Sequence, residues 1–195
     1  MIDSVEHGPL VGRRRDREVH GSTIAAPAAC VGAVLAAALE ARAHAALGRS
    51  AETINAVQNA ENTLLRLDSR YLVPSAFGYT EAQLRFHESN ALTQLGDAKR
   101  AWAAQERALA LTPEYDYTDR ALTHMDRAVC MVHSKDFSGA VEYATQVLET
   151  LTAAQRRGII AARAKNLVAR LPTTVRHMPA SRNLRELVVA TEGEA

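Results

Sequence analysis

The chain is short of most residue types that carry chemistry. Two of its 195 residues are cysteine, Cys30 and Cys130, and neither stands in a CxxC or Cys/His spacing. Each lies in an Ala/Val-rich stretch, so inert core thiols are expected in preference to a disulfide or a reactive pair. Aromatic residues make up 5% of the chain, which leaves small aliphatic side chains to fill the interior. No apolar run approaches the ~20 residues that span a bilayer. The start lacks the charged-then-apolar order of a signal peptide, because Ile24–Leu39 follows the basic cluster and is broken by Pro27. The expected address is the cytoplasm, with no membrane partner. Net charge is only +1, so no global field draws nucleic acid or acidic lipid. The one basic cluster, Arg13, Arg14, Arg15 and Arg17, is offset by Asp3, Glu6, Asp16 and Glu18. Neither a glycine-rich phosphate loop nor a nucleophile elbow occurs.

What the chain has is alanine in quantity, with a 47% apolar and 23% charged balance. Alanine has the highest helix propensity and lets helices approach closely. With no sustained period-two alternation, the expected class is all-α. Residues 1–24 mix charge, Gly and Pro, and read as a leader of low order. From Pro27 onward the pattern is helical: Ala28–Leu47 stopped by Gly48, then Ser50 capping a helix to about Leu67. Asp68–Tyr79 reads as a loop. Thr80 caps a third helix to Leu95, and Gly96-Asp97 turns the chain into a fourth that ends near Leu111, before Pro113. Thr118 or Asp119 opens a fifth to His133, and Phe137–Leu151 returns. Thr152–Ala169, a loop over Leu171–Pro179 and a short helix over Ser181–Ala190 complete the chain. The hairpins fall at about 28–67, 80–112, 118–151 and 152–190, within a repeat domain over 25–195.

Setting Gly96-Asp97 against Lys135-Asp136 gives an offset of 39 residues. Ser89 then meets Ala128, Ala101 meets Ala140, and Leu92 meets Met131. A small residue facing a small residue is what allows two helices to cross at close range. Gly48 set against Gly96 gives an earlier copy, with Ala41 matching Ser89. In Ser89, Leu92, Leu95-Gly96-Asp97, Ala101, Ala108 and Pro113 the chain resembles the tetratricopeptide repeat family, over about residues 28–190. Where that family carries a large aromatic early in the first helix, this sequence has Arg85 and His124. The strings Phe77-Gly78-Tyr79, Glu81–Leu95, Asp119–Cys130 and Gln155–Ala164 are similar to the C-terminal repeat region of actinobacterial XRE-type regulators, which carry an N-terminal helix-turn-helix. The resemblance implies antiparallel hairpins stacked as a right-handed solenoid, and an interaction or sensing role in transcriptional control. Residues 1–24 are too short for a helix-turn-helix, so specific DNA binding by this chain alone is not expected.

Chemistry-bearing clusters are sparse. His124 and His133 stand nine apart, His44 and His87 stand alone, and no pair has the i,i+3 or i,i+4 spacing of metal ligands. The expectation is no metal, no cofactor and no enzyme activity. On the geometry of the resembled family the first helix of each hairpin lines a concave groove, where Arg42, Gln83, Phe86, Asn90, Met125 and His133 are expected to face a ligand. Asn90 matches a position at which family members hold a ligand's backbone through a side-chain amide, which donates and accepts at once. Arg42 would suit a carboxylate or phosphate, and Phe86 and Met125 would supply an apolar floor. These residues packing against one another is the competing reading. Trp102 is expected in the core between repeats. The partner expected is a peptide, a protein segment or a small effector; the alternative is a scaffold that binds its own kind through an exposed end.

Overall fold

The computed structural model describes residues 29–75 and 77–189, and among these no strand occurs. The helices are α1 (Val31–Ala46), α2 (Ser50–Leu64), α3 (Glu81–Leu95), α4 (Ala98–Leu111), α5 (Tyr117–His133), α6 (Phe137–Glu149), α7 (Ile159–Arg170), α8 (Thr173–Arg176) and α9 (Pro179–Val189). The fold is all-α, and no described helix is long and apolar enough to cross a membrane. The leader expected over 1–24 and the helix start expected near Pro27 lie outside the described residues.

Helix α1 packs on α2, α3 on α4, and α5 on α6, each pair joined by a turn of a few residues. All three turns are the same Schellman motif. Arg49, Asp97 and Asp136 donate their amides to His44, Leu92 and Met131, while Gly48, Gly96 and Lys135 donate to Ala45, Thr93 and Val132. The residue at the turn is left-handed in each case, with φ of 70° at Gly48, 76° at Gly96 and 64° at Lys135. These bonds satisfy carbonyls that the helix end leaves open, and they reverse the chain in a fixed direction. Asp97 and Asp136 then cap the returning helices by accepting from the amides of Arg100 and Gly139.

The odd-numbered helices follow one another, α1 against α3, α3 against α5, and α5 against α7. Small side chains fill the contacts between neighbouring helices, odd- and even-numbered alike. Ala91, Ala101, Ala128, Ala140, Ala144 and Ala164 are fully buried, and Ser89 and Ala41 nearly so or fully. The largest apolar cluster joins Phe86 to α5, α6, α7 and α9, while Ala-lined clusters hold α1, α2, α3 and α4 together.

Several local expectations need correction. Helix α2 ends at Leu64, and the following segment contains a 3-10 turn over Ser69–Tyr71. Asp116, not Thr118 or Asp119, caps α5, accepting from the Asp119 amide at 3.2 Å. The fourth hairpin departs furthest. Thr152 and Gln155 make reciprocal capping bonds, at 2.9 Å and 3.3 Å, but these start only a single turn. Gly158, at φ 61° and ψ −125°, interrupts it, so α7 begins at Ile159. Leu171–Pro179 contains the short α8, and α9 packs on both α6 and α7. Cys130 is buried as expected, whereas Cys30 is exposed, because it sits at the cap position before α1 and no described element covers it. Trp102 is 39% exposed rather than a core residue, and the Arg127 guanidinium lies over its ring, 4.4 Å from the centroid.

Candidate functional site

Polar side chains gather along the row of odd-numbered helices. Helices α3 and α7 each present such residues at i, i+3 and i+7, His87, Asn90 and Gln94 on α3 and Arg163, Asn166 and Arg170 on α7, while α5 presents Asp126 and His133 at i and i+7 with the apolar Val129 between them. That spacing keeps all three residues on one face of a helix. Arg42 of α1 joins the row through a 3.4 Å contact between Nη1 and Nδ1 of His87.

At the centre stands Asp126, 1% exposed. Its Oδ2 accepts from Nδ2 of Asn90 at 2.7 Å and its Oδ1 from Nη1 of Arg163 at 2.5 Å. Asn90 Oδ1 in turn accepts from Nε2 of Gln94 at 2.7 Å. Burial pushes the Asp126 carboxyl up from its ordinary range, against the opposing pull of Arg163, the Asn90 amide, Arg42 and Arg170. Burial lowers Arg42, and the neighbouring positive charge of Arg163 lowers it further. His87 is held down at about 4 by burial and by Arg42, so it is neutral at pH 7. Burial and Arg170 also lower His133. Three guanidinium groups therefore act on Asp126, which among the described residues pairs directly with Arg163. Among the described residues, neither Arg42 nor Arg170 has a carboxylate within ion-pairing distance, while Arg163 has Asp126 alone.

A cavity of about 320 Å³ opens beside this cluster between α3, α5 and α7, lined by Gln94, Asp126, Val129, Arg163, Asn166 and Arg170, among others. A larger one of about 440 Å³, between α6 and the α8–α9 corner, is walled by Val141, Val175 and Met178, and the buried Ser181 hydroxyl at its edge has no partner. The larger cavity lacks a comparable charged cluster. Among the described residues, no group of three or more His, Cys, Asp or Glu is placed to hold a metal ion.

Of the six residues expected to face a ligand, three lie on this row. Arg42 is half-buried beside His87, and exposed His133 lies near Arg170 at the groove's rim. Asn90 also lies there but is fully buried, and its amide is spent on Asp126 and Gln94 rather than open to a ligand. The other three are elsewhere. Phe86 and Met125 are 9% and 0% exposed and belong to the main apolar core, so they form no accessible floor. Gln83 is the third residue of a capping box, its Oε1 accepting from the Thr80 amide at 2.8 Å. The spacing Thr80-x-x-Gln83 carried that signal. Gln94, Asp126, Arg163, Asn166 and Arg170 are the residues the sequence reading did not assign to the groove.

The two positions where the resembled family carries an aromatic are filled by polar anchors. Arg85 Nη1 lies 2.5 Å from Glu61 of α2 and 2.7 Å from Glu88. Burial opposes the charge on Arg85, but these carboxylates outweigh it and hold the guanidinium above its ordinary value. His124 Nδ1 lies 2.6 Å from the Tyr143 hydroxyl, tying α5 to α6. No family model matches the chain, and no curated protein or solved structure matches it either.

Proposed function

We propose that this chain is a non-catalytic interaction or sensor module of the transcriptional-regulator type, a tetratricopeptide-like right-handed solenoid whose concave groove takes its ligand. The carrying observation is the polar row on α3, α5 and α7, set on helices whose other buried positions are almost all small or apolar. A buried carboxylate and three arginines are costly to gather in one place, and a purely structural stack has no need of them. The three matching Schellman turns support the repeat reading, since each reverses the chain with the same bonds. The ligand on this reading is a peptide, a protein segment or a small effector. No step of catalysis is assigned, because no nucleophile and base are paired in the row.

Groove variants test the reading. Gln94→Ala combined with Asn166→Ala alters the cavity wall without touching Asp126 or Arg163. The parent and this double variant are compared by pull-down from cell extract and by native mass spectrometry of bound small molecules. A groove ligand is expected to be lost or depleted in the variant. An identical set of captured species would move function to the convex face or to an end of the stack.

A second reading, a scaffold that assembles through its end, is favoured by one feature. Leu35 and Leu39 on α1 are 38% and 45% exposed and lie one turn apart. Light-scattering mass at two concentrations decides it: a mass that grows with concentration, and falls back in Leu39→Glu, would support assembly.

A further inference from the structure

We infer that the cavity between α3, α5 and α7 is a binding site for a small organic anion, whose carboxylate or phosphate is taken by Arg163 and Arg170 beside Asp126. The inference rests on the groove reading above and names the chemistry of its ligand.

Charge is the first argument. Arg42, Arg163 and Arg170 all act electrostatically on Asp126, and Arg42 and Arg163 repel each other. Of these, Arg163 and Arg170 line the cavity with Asp126, which leaves an excess of one positive charge in a partly enclosed space, where attraction for an anion is stronger than in open water. Donor capacity is the second. A guanidinium has five N–H donors, and Asp126 occupies only Nη1 of Arg163. Arg170 contributes its whole fork, since no described carboxylate pairs with it. Planar forks of this kind match carboxylate and phosphate oxygens two at a time.

Shape then narrows the class. The cavity, about 320 Å³, falls at the small end of ligand sites and is too small for a folded segment. Val129, Ile159 and Ala162 give it apolar wall, and the amides of Asn166 and Gln94 border it. An organic body with an acidic group fits that mixture better than a bare ion. Asp126 accepts from Arg163 and is itself held by the Asn90 amide, so the orientation of Arg163 is set before a ligand arrives. Preorganisation of that kind lowers the ordering cost of binding.

The test uses the purified full chain at fixed ionic strength and pH 7.5, with citrate, succinate and inorganic phosphate as probes and succinamide as the uncharged control. Titration calorimetry and thermal shift are read on the parent, Arg170→Ala, Arg170→Lys and Arg66→Ala. Arg66 is an exposed arginine just beyond α2, away from the cavity, so its variant removes the same charge elsewhere. At least one organic anion is expected to bind the parent and raise its Tm by several degrees, with no effect of succinamide. Arg170→Ala should weaken that binding at least tenfold, Arg170→Lys should recover part of it, and Arg66→Ala should match the parent. Binding of phosphate alone at equal strength would overturn the organic class. Equal losses in Arg170→Ala and Arg66→Ala, or no anion bound, would overturn the site. If partner capture still depended on Gln94 and Asn166 in that case, the groove would stand and only the anion assignment would fall.

Discussion

Nη1 of Arg163 on α7 donates to Oδ1 of Asp126 on α5 at 2.5 Å, and the carboxylate side chain is 1% exposed. This contact joins α5 to α7 beside the cavity that both residues line. Asp126→Ala removes the acceptor for both Asn90 and Arg163 while leaving a partly buried guanidinium uncompensated. A loss of about 2–4 kcal/mol is expected, below the upper range for buried pairs because Arg163 retains some solvent. Urea denaturation at pH 7 measures it. A loss under about 0.5 kcal/mol would mean that the pair is replaced by water at little cost.

His87 gives the row a pH dependence. It is half-buried, faces Arg42 and stacks on Tyr79 with ring centroids 6.3 Å apart. Its folded value of about 4 lies below the ordinary 6.5. The unfolded chain therefore binds a proton first as pH falls, and stability present above about 6.5 is lost between there and 4. The slope approaches about 1.4 kcal/mol per pH unit, or about 3 kcal/mol across the window. Urea midpoints from pH 7.5 to 4.5 should show it, and His87→Phe should flatten the fall. An equal fall in parent and variant would place the titration elsewhere.

The small residues at the helix crossings are a sharper test of packing. Ala101 and Ala140 are each fully buried, against Leu92 and Cys130 in one case and in the main core in the other. Leucine at either position adds three carbons where no room is left, and destabilisation of about 1–3 kcal/mol is expected. Tm values close to the parent's would show that the helices can move apart without cost.

The hairpins were legible because their punctuation is local. Gly48 and Gly96-Asp97 each act within one or two turns, and the chain reverses at both, although α2 ends at Leu64 rather than near Leu67. The groove was legible only in part, because neighbouring residues on a helix differ by about 100°. Met125 and Asp126 are adjacent in sequence, yet Met125 lies in the core while Asp126 borders the cavity. Gln83 went astray for another reason: a capping box and a ligand contact use the same amide, and the nearer partner takes it. Arg163, Asn166 and Arg170 lie on the fourth hairpin, where no groove residue is expected, and their helix starts at Ile159 rather than Thr152, because Gly158 breaks the single turn that Thr152 and Gln155 cap.

The third Schellman turn carries a residue that its two counterparts avoid. Lys135 is the one described non-glycine residue with positive φ, at 64°, and its counterparts in the other two turns are Gly48 and Gly96. A Cβ in that region crowds the following carbonyl at a cost of about 1–2 kcal/mol, part of which is recovered in the unfolded state, where glycine is freer. Lys135→Gly is therefore expected to stabilise the chain by about 0.5–1 kcal/mol, a rise of a few degrees in Tm. The converse holds at the other two turns. A Cβ at Gly48 meets nothing within 4 Å, and one at Gly96 meets only Nδ1 of His133 at an ordinary 3.8 Å. Gly48→Ala and Gly96→Ala then report backbone strain without steric contact, and each should cost about 1 kcal/mol. Thermal melts of the three variants check the set together. Should Lys135→Gly lower Tm, the left-handed turn after α5 would not be the conformation that the chain adopts, and its equivalence to the other two turns would fail with it.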